Sequence, residues 1–564
     1  MNKKLIECVP NFSEGRNMHI IKQITDVIES VEGVKLIDVD PGKATNRTVV
    51  TFVGTPDEVC EAAFLAAKKA CEVIDMTKHS GAHPRFGAMD VCPLIPIANI
   101  SMEETVEFAR KLAKRIGEEL KYPVYCYESA AFFPERKNLA NNRAGEYEGL
   151  SQKLAKPEWK PDFGPAVFVP KTGASAIGAR NFLIAYNVNL NTTSTRRANA
   201  IAYDIREKGR LVREGNQITG KIKSDKNGKE IWQPGTLKTV KAIGWYIEEY
   251  GIAQISINLT DIYEVPMHIA FDETCKKAQE RGLRVTGSEL IGVAPLQAFI
   301  DAGKYFLKKQ KRSCGISDSE IIKIAVKSLG LDELAPFNPN KKIIEYLIAD
   351  NNSKKLIDMS LKDFVLETAS ESPAPGGGSI SAAMGAMGAA LGTMVANLSA
   401  HKPGWDERWE EFSQWAEKGK YYHDTLLQLI DEDTNAFNKI MTAFGLPKST
   451  DDEIAKRKEA IQQATKYAIE IPFKVMTICY EAMQIMKAMA EIGNPNSVSD
   501  AGVGAIAARS GVIGAFLNVK INCSGFNDKT FVNEIITKGS DIEKKTIELE
   551  SEILDIVNKK IRKE

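Results

Sequence analysis

Near residue 350 the sequence changes its period. Upstream, apolar residues recur at every second position in short runs and at every third or fourth in longer ones, so strands and helices are interleaved. Downstream the two-residue period is gone and each long segment is patterned as a helix. A chain with that switch cannot be built around one sheet. The upstream part has to cover sheet faces with helices, the downstream part has to bury helix against helix, and 564 residues exceed what one core supports. The expected architecture is multidomain: two α/β subdomains, each a sandwich of sheet and helices, followed by an all-α helical bundle.

The first subdomain is expected over 1–180. There LIECVPNF, VKLIDVD, TVVTFVG, DVCPLIPI and YPVYCYES read as strands and PDEVCEAAFLAAKKACEVI as a helix, while Ser101-Met-Glu-Glu104 is a capping box opening a helix to about Leu120. A second alternation, expected over 181–305, starts at NFLIAYNVNL and ends with a helix from 295. Within it KIKSDKNGKEIWQPG (221–235) is polar and carries glycines, the signature of a hairpin or surface excursion. Residues 306–355 connect to the bundle, with ADNNSKK (349–355) as linker. Across 356–564, helices are expected at 380–398, 405–442, 452–491, 499–521 and 540–562.

Seventy-four basic residues balance 74 acidic ones, which removes the electrostatic case for a nucleic-acid partner. Nine cysteines, an odd number without a CxxC pair, suit a reducing compartment, and MNKKLIECVPNF meets a glutamate and a proline before a secretory apolar core can form; the cytoplasm is the expected location. Residues 380–398, ISAAMGAMGAALGTMVANL, are uncharged over nearly a membrane-spanning length. Their apolar content is mostly Ala and Gly, which contribute little transfer energy, so a tightly packed helix is expected rather than a membrane span. Gly385, Gly388 and Gly392 each cost about 1 kcal/mol relative to Ala in a helix interior and call for another helix lying very close.

Chemistry is concentrated in MTKHSGAHPRFGAMDVCP (76–93), which holds two of the six histidines. His83 precedes Pro84 and is therefore pushed toward extended backbone, outside any helix. His79 and His83 have the spacing of a helical metal pair, but Gly81 and Pro84 break the helix and no cysteine or acidic partner completes a set, so no metal is expected. His83 then reads either as a structural histidine bonded to backbone or as a neutral imidazole held as general base. The loops VPNFSEGR and DVDPGKATNRT each follow a strand, which places Asn11, Asp38, Asp40 and Arg85 as candidates for one cleft. In LLQLIDEDTNAFNKIM (426–441) a helical stripe at 426, 430, 433, 437 and 440 puts Asp433 on the apolar face, either as an acid/base whose pKa burial raises or as a structural partner of a cation on a facing helix.

Taken together, ECVPNFSEGR (7–16), DVDPGKATNRTVVTFVG (38–54), HSGAHPRFGAMDVCP (79–93), RAGEYEGL (143–150), DFGPAVFVPKTGASAIGAR (162–180) and APGGGSISAAMGAMGAALG (374–392) resemble the formimidoyltransferase-cyclodeaminase family, in the family's order and over nearly the whole chain. The resemblance implies a bifunctional folate enzyme of histidine degradation. Its first part would move a formimino group between N-formimino-L-glutamate and tetrahydrofolate; its second would close 5-formiminotetrahydrofolate to 5,10-methenyltetrahydrofolate with loss of ammonia. It implies a catalytic histidine at His83, a cyclodeaminase aspartate at Asp433, and a folate-contacting stretch of Gly164, Pro165, Ala166, Val167, Phe168, Val169, Pro170, Lys171, Thr172 and Gly173. Asp40 and Arg85 are the further candidates for holding substrate, Arg85 through its planar fork. Tetrahydrofolate, polyglutamylated, would be a co-substrate with no covalently bound cofactor, and the bundle would dimerise within a homo-oligomer. A narrower reading makes one domain catalytic and the other a folate-binding assembly module.

Overall fold

The structure, a computed structural model, describes residues 4–43, 45–81, 84–216, 219–348 and 355–562. The chain divides into two compact units, Met1–Ala302 with Val326–Ala349, and Gly303–Ala325 with Asp350–Glu564.

In the first unit, β1 (Leu5–Cys8), β2 (Asn11–Phe12), β3 (Lys35–Gly42), β4 (Arg47–Gly54), β5 (Met89–Ala98), β6 (Val124–Glu128) and β7 (Ser175–Ala179) form a seven-stranded sheet. β1 and β2 are successive pieces lying antiparallel between β4 and β5. β3 is antiparallel on β4, while β5, β7 and β6 run parallel. Side chains alternate across a strand, so Ile6, Cys8 and Phe12 enter the core while Glu7, Val9 and Asn11 point to the opposite face. The core face is covered by α1 (Met18–Glu29), α2 (Pro56–Val73) and α3 (Met102–Glu119), which contribute Ile24, Ala62, Leu112 and Ile116 among others. Both α2 and α3 open on the capping boxes Thr55/Glu58 and Ser101/Glu104. α4 (Glu146–Leu154) lies in a smaller cluster with Phe86, Tyr125 and Trp159.

The second sheet of this unit is fully antiparallel in the order β9 (Val240–Ile247), β10 (Ile252–Leu259), β8 (Ile184–Leu190), β11 (Val285–Ile291), with α5 (Thr195–Ile205) and α6 (Met267–Gln279) packed on it. The polar segment 221–235 belongs to a hairpin excursion: Arg210–Leu211 pairs with Trp232–Gln233, and Ser224 bridges Glu230 around a turn that the Asp225 carboxylate holds by accepting from the N–H groups of Asn227 and Lys229.

The second unit is helical. α7 (Gly377–Ala400), α8 (Trp409–Phe444), α9 (Asp451–Ile492), α10 (Val498–Cys523) and α11 (Lys529–Arg562) pack around two buried clusters, one near Leu426, Ile469 and Phe516, the other near Val395, Met486 and Ile553. α7 and α10 are apolar and long enough to cross a bilayer by length and composition, yet 61% of the apolar window of α7 is buried among its neighbours. Its glycines sit where other helices touch it: a Cβ on Gly388 would stand 2.7 Å from the Gly504 carbonyl oxygen of α10. The expected last helix, 540–562, begins eleven positions earlier, at Lys529. Gly539 is the reason the start is hidden, because it reads as a breaker but lies directly under the Phe516 ring, where no Cβ fits. Of the expected linker 349–355, only Lys355 falls among the described residues.

Candidate active sites

The bare face of the seven-stranded sheet and the second sheet enclose a cleft of about 630 Å³. Strand alternation supplies its floor: Glu7, Val9 and Asn11 from β1 and β2, Asp38 and Asp40 from β3, Arg47, Val49 and Thr51 from β4. Arg143 and Arg180 add positive charge, and Lys241 and Asn258 come from the second sheet. Asp90, fully buried, anchors the cleft. One oxygen of it pairs with Arg143 and lies 3.1 Å from Arg47; the other accepts the Phe86 N–H at 2.9 Å. Arg47 in turn donates to Asn11 at 2.7 Å and to the Pro84 carbonyl at 3.2 Å.

His83 lies outside the described residues, but the loop on both sides of it is tied down. Gly81 presses on the Thr45 carbonyl too closely for a side chain. Asn46, at a left-handed φ of 50°, donates to the Ser80 carbonyl at 3.0 Å, and its own carbonyl lies 2.8 Å from His79 Nε2. Arg85 Nε donates to His79 Nδ1 at 3.2 Å. His79 is thus a neutral imidazole protonated at Nε2, with both nitrogens engaged, and burial lowers its pKa further, helped by the Arg85 charge. His79 is therefore a backbone-bonded structural histidine of this loop.

Arg85 does not face the cleft with Asn11, Asp38 and Asp40. It lines a separate polar hollow with His79, Glu146 and Glu148, and its fork is closed on Glu148 at 2.7 and 2.9 Å. Its place is that of a brace between the histidine loop and α4. The stretch 164–173 crosses the same side. Gly164 and Gly173 close it with φ of +81° and +70°, the Tyr147 hydroxyl donates to the Pro170 carbonyl at 2.6 Å, and the Tyr147 and Phe168 rings lie 5.5 Å apart. Val167 is 64% exposed at its crest.

In the bundle, Asp433 projects from α8 at the start of α7. Ser379 Oγ lies 3.1 Å from its Oδ2 and 3.0 Å from the Ile430 carbonyl, and the Ser379 N–H donates to the same carboxylate. Gly378 leaves the room Asp433 occupies; a Cβ there would collide with the carboxylate. Burial raises the Asp433 pKa above the usual carboxylate range against these hydrogen bonds, and no cation acts on it among the described residues. Its neighbours are engaged elsewhere: Asp431 accepts the Leu356 N–H at 2.7 Å, and Glu432 accepts from the Tyr467 hydroxyl.

Models of known families match along the chain in three consecutive blocks. The formiminotransferase domain, N-terminal subdomain, matches residues 5–180, the formiminotransferase domain 185–349, and formiminotransferase-cyclodeaminase 360–540. The formimidoyltransferase-cyclodeaminase of Gallus gallus is 44% identical over 94% of both chains. The chain belongs to the formimidoyltransferase-cyclodeaminase family. Relatives of that family's two halves also exist separately. The glutamate formimidoyltransferase of Thermoplasma acidophilum is 43% identical over 54% of this chain and 92% of its own, and the methenyltetrahydrofolate cyclohydrolase of Methylorubrum extorquens is 37% identical over 36% and 97%.

The resemblance drawn from the six motifs is thereby borne out, as is the succession of α/β subdomains and helical bundle. Several groups of the cleft escape sequence reading. Glu7, Arg47 and Asp90 are charged residues within or beside apolar runs and Arg143 stands in a polar stretch; the signal for Glu7 and Arg47 is their parity, since each alternates with residues committed to the core. Among the described residues, no three His, Cys, Asp or Glu side chains gather in a metal-ligand set.

Proposed function

We propose that this chain is a bifunctional folate enzyme of histidine degradation. It transfers the formimino group between N-formimino-L-glutamate and tetrahydrofolate, then cyclises 5-formiminotetrahydrofolate to 5,10-methenyltetrahydrofolate with release of ammonia. The observation that carries the reading is that the chain joins, in one sequence, two units that match relatives named for transfer of a formimidoyl group and for chemistry on the folate one-carbon unit.

Residues 1–305 carry the transfer. His83, in a loop braced by Asn46, Arg47 and Arg85, accepts the proton that the attacking folate nitrogen loses. Residues 164–173 hold the folate, and the cleft basic groups Arg143, Arg180 and Lys241 suit the carboxylates of glutamate and of a polyglutamate tail; Asp40 lies in the same cleft. Residues 356–564 carry the cyclisation, in which Asp433, its carboxyl pKa raised by burial, protonates the departing ammonia. The protein is cytoplasmic and assembles as a homo-oligomer built from dimers. Support for the dimer is the apolar surface left on α7 and α10, where Met387, Met394, Leu398, Val503, Leu517 and Ile521 are exposed.

The purified protein, given N-formimino-L-glutamate and tetrahydrofolate, is expected to produce 5,10-methenyltetrahydrofolate absorbance and ammonia in equal amounts. Absence of both products overturns the reading. Methenyl absorbance from supplied 5-formiminotetrahydrofolate alone would leave a single catalytic domain beside a folate-binding module.

A further inference from the structure

Glu7 is a carboxylate in the transferase cleft for which the chemistry above has no use. The alternation of β1 turns it off the core with Val9 and Asn11, it is 5% exposed, and among the described residues no group hydrogen-bonds its side chain. The flanking strands place apolar Val53 and Ile95 opposite it. The charges that act on it are Arg180, from the segment after β7, and Glu345, from the helix Ile344–Ile348; Cys8, next to it on β1, is a buried neutral thiol. Two other cleft carboxylates, Glu128 and Asp38, are better compensated. Glu128 faces Lys241, Arg180 and Lys137, and Asp38 faces Lys342 and accepts the Val39 N–H. Glu7 also shares its strand pair with Asn11, which Arg47 ties to the carbonyl next to His83.

We propose that Glu7 is a catalytic residue of the transfer, the acid that protonates the departing glutamate nitrogen; this rests on the transferase reading above. The formimino group enters as an amidinium, protonated on its imino nitrogen; as the folate N5 lone pair closes on its carbon, the N5–C bond forms, the C=N π pair moves onto that nitrogen, and the N5 proton passes to His83. The same pair then re-forms the C=N bond as the carbon–nitrogen bond to glutamate breaks; the pair of the breaking bond stays on the glutamate nitrogen, which takes the Glu7 carboxyl proton and leaves as an amine. Protonated His83 then gives its proton to solvent and ionised Glu7 takes one from solvent, and the enzyme returns to its starting state. Burial suits Glu7 to this, because it pushes the carboxyl up to about 7, with Arg180 opposing and Glu345 adding to the rise.

The test uses the full chain with Glu7→Gln and Glu7→Asp, assayed for transfer over pH 5 to 9 and, separately, for cyclisation of supplied 5-formiminotetrahydrofolate. In the wild type, kcat for transfer falls as pH rises through about 7, the alkaline limb of a required acid. Glu7→Gln is expected to lower kcat about 10²- to 10⁴-fold, leave KM within a few fold, abolish that limb and spare cyclisation. Glu7→Asp, which keeps the acid but retracts it by one methylene, is expected to keep the limb at reduced kcat. Transfer by Glu7→Gln within a few fold of wild type, with the limb unchanged, overturns the proposal while leaving the transferase reading intact. If Glu7→Gln does not fold, wild-type kcat in Glu7→Asp overturns it. Absence of transfer in the wild type itself overturns the transferase reading instead.

Discussion

A buried carboxylate with no hydrogen-bond partner among the described residues is a thermodynamic liability, and Glu7 makes the liability measurable. Its pKa is 4.5 as a free side chain and about 7 in the fold. The native state therefore binds protons more tightly than the unfolded one. The destabilisation is absent below about pH 4.5, where both states carry the proton, grows as pH rises through the interval, and is complete above about 7. At about 1.36 kcal/mol per unit the full penalty is on the order of 3 kcal/mol. Glu7→Gln, close in size and uncharged at every pH, removes it. The variant is expected to match wild type in urea unfolding of the transferase unit at pH 4 and to exceed it by up to about 3 kcal/mol at pH 8. Equal stability differences at the two pH values would refute the burial argument. Asp433 obeys the same logic with a smaller handle, since two Ser379 donors offset part of its burial. His79 and Arg85 show the contrary arrangement: Arg85 is buried and His79 half-buried, and each is bonded at its polar atoms, so they fix geometry rather than exchange protons.

At the scale of elements, what the sequence displays is whatever its period can encode. The strands β1, β3, β4, β5 and β6 and the helices α2 and α3 announce themselves through alternation and capping boxes. β7, SAIGA, is buried at every residue and lies between two parallel neighbours, so it carries no alternation to read. α1 is not among the expected helices, although Asn17 caps it, its side chain accepting from the N–H groups of His19 and Ile20. Of the candidate site, Asp433 was legible because a lone carboxylate interrupts an apolar stripe. The separation of Arg85 from Asn11, Asp38 and Asp40 was not, because which side of a loop a residue faces depends on contacts remote in sequence, here Glu148 on α4. Glycines are ambiguous for the same reason. Gly388 is required by a neighbour, as the 2.7 Å approach of the Gly504 carbonyl to a Cβ there indicates. Gly388→Leu meets backbone atoms of Gly504 and Ala508 first, which cannot swing aside, so overpacking should reach or exceed the upper end of the typical range of about 1–3 kcal/mol. The expected result is a lower thermal midpoint for the bundle with transferase-unit unfolding unchanged. A midpoint equal to wild type would mean that α7 and α10 are not in contact in solution.

For the whole molecule, the decisive fact is that the two groups assigned to move protons belong to different compact units, each with its own buried core. The loop that flanks His83 is held entirely by residues of the first unit, from Asn46 and Arg47 to Glu148. Asp433 is held entirely by residues of the second, Ser379 and the glycine turn before it. The two sites share no partner among these contacts, and sites without shared partners act additively. His83→Ala is expected to abolish transfer from N-formimino-L-glutamate while cyclisation of supplied 5-formiminotetrahydrofolate stays within a few fold of wild type. Asp433→Asn is expected to do the reverse, because the amide keeps the size and the Ser379 contacts but cannot give up an acidic proton. Each loss should be about 10²- to 10⁴-fold in kcat, the usual worth of a general acid or base. The double variant should lose both activities by the same factors as the singles. Mixing the two single variants should restore conversion of N-formimino-L-glutamate to 5,10-methenyltetrahydrofolate, since each supplies the step the other lacks. Suppression of both reactions by either folded single variant would show that the two chemistries share one site, and the assignment of one proton carrier to each unit would fall.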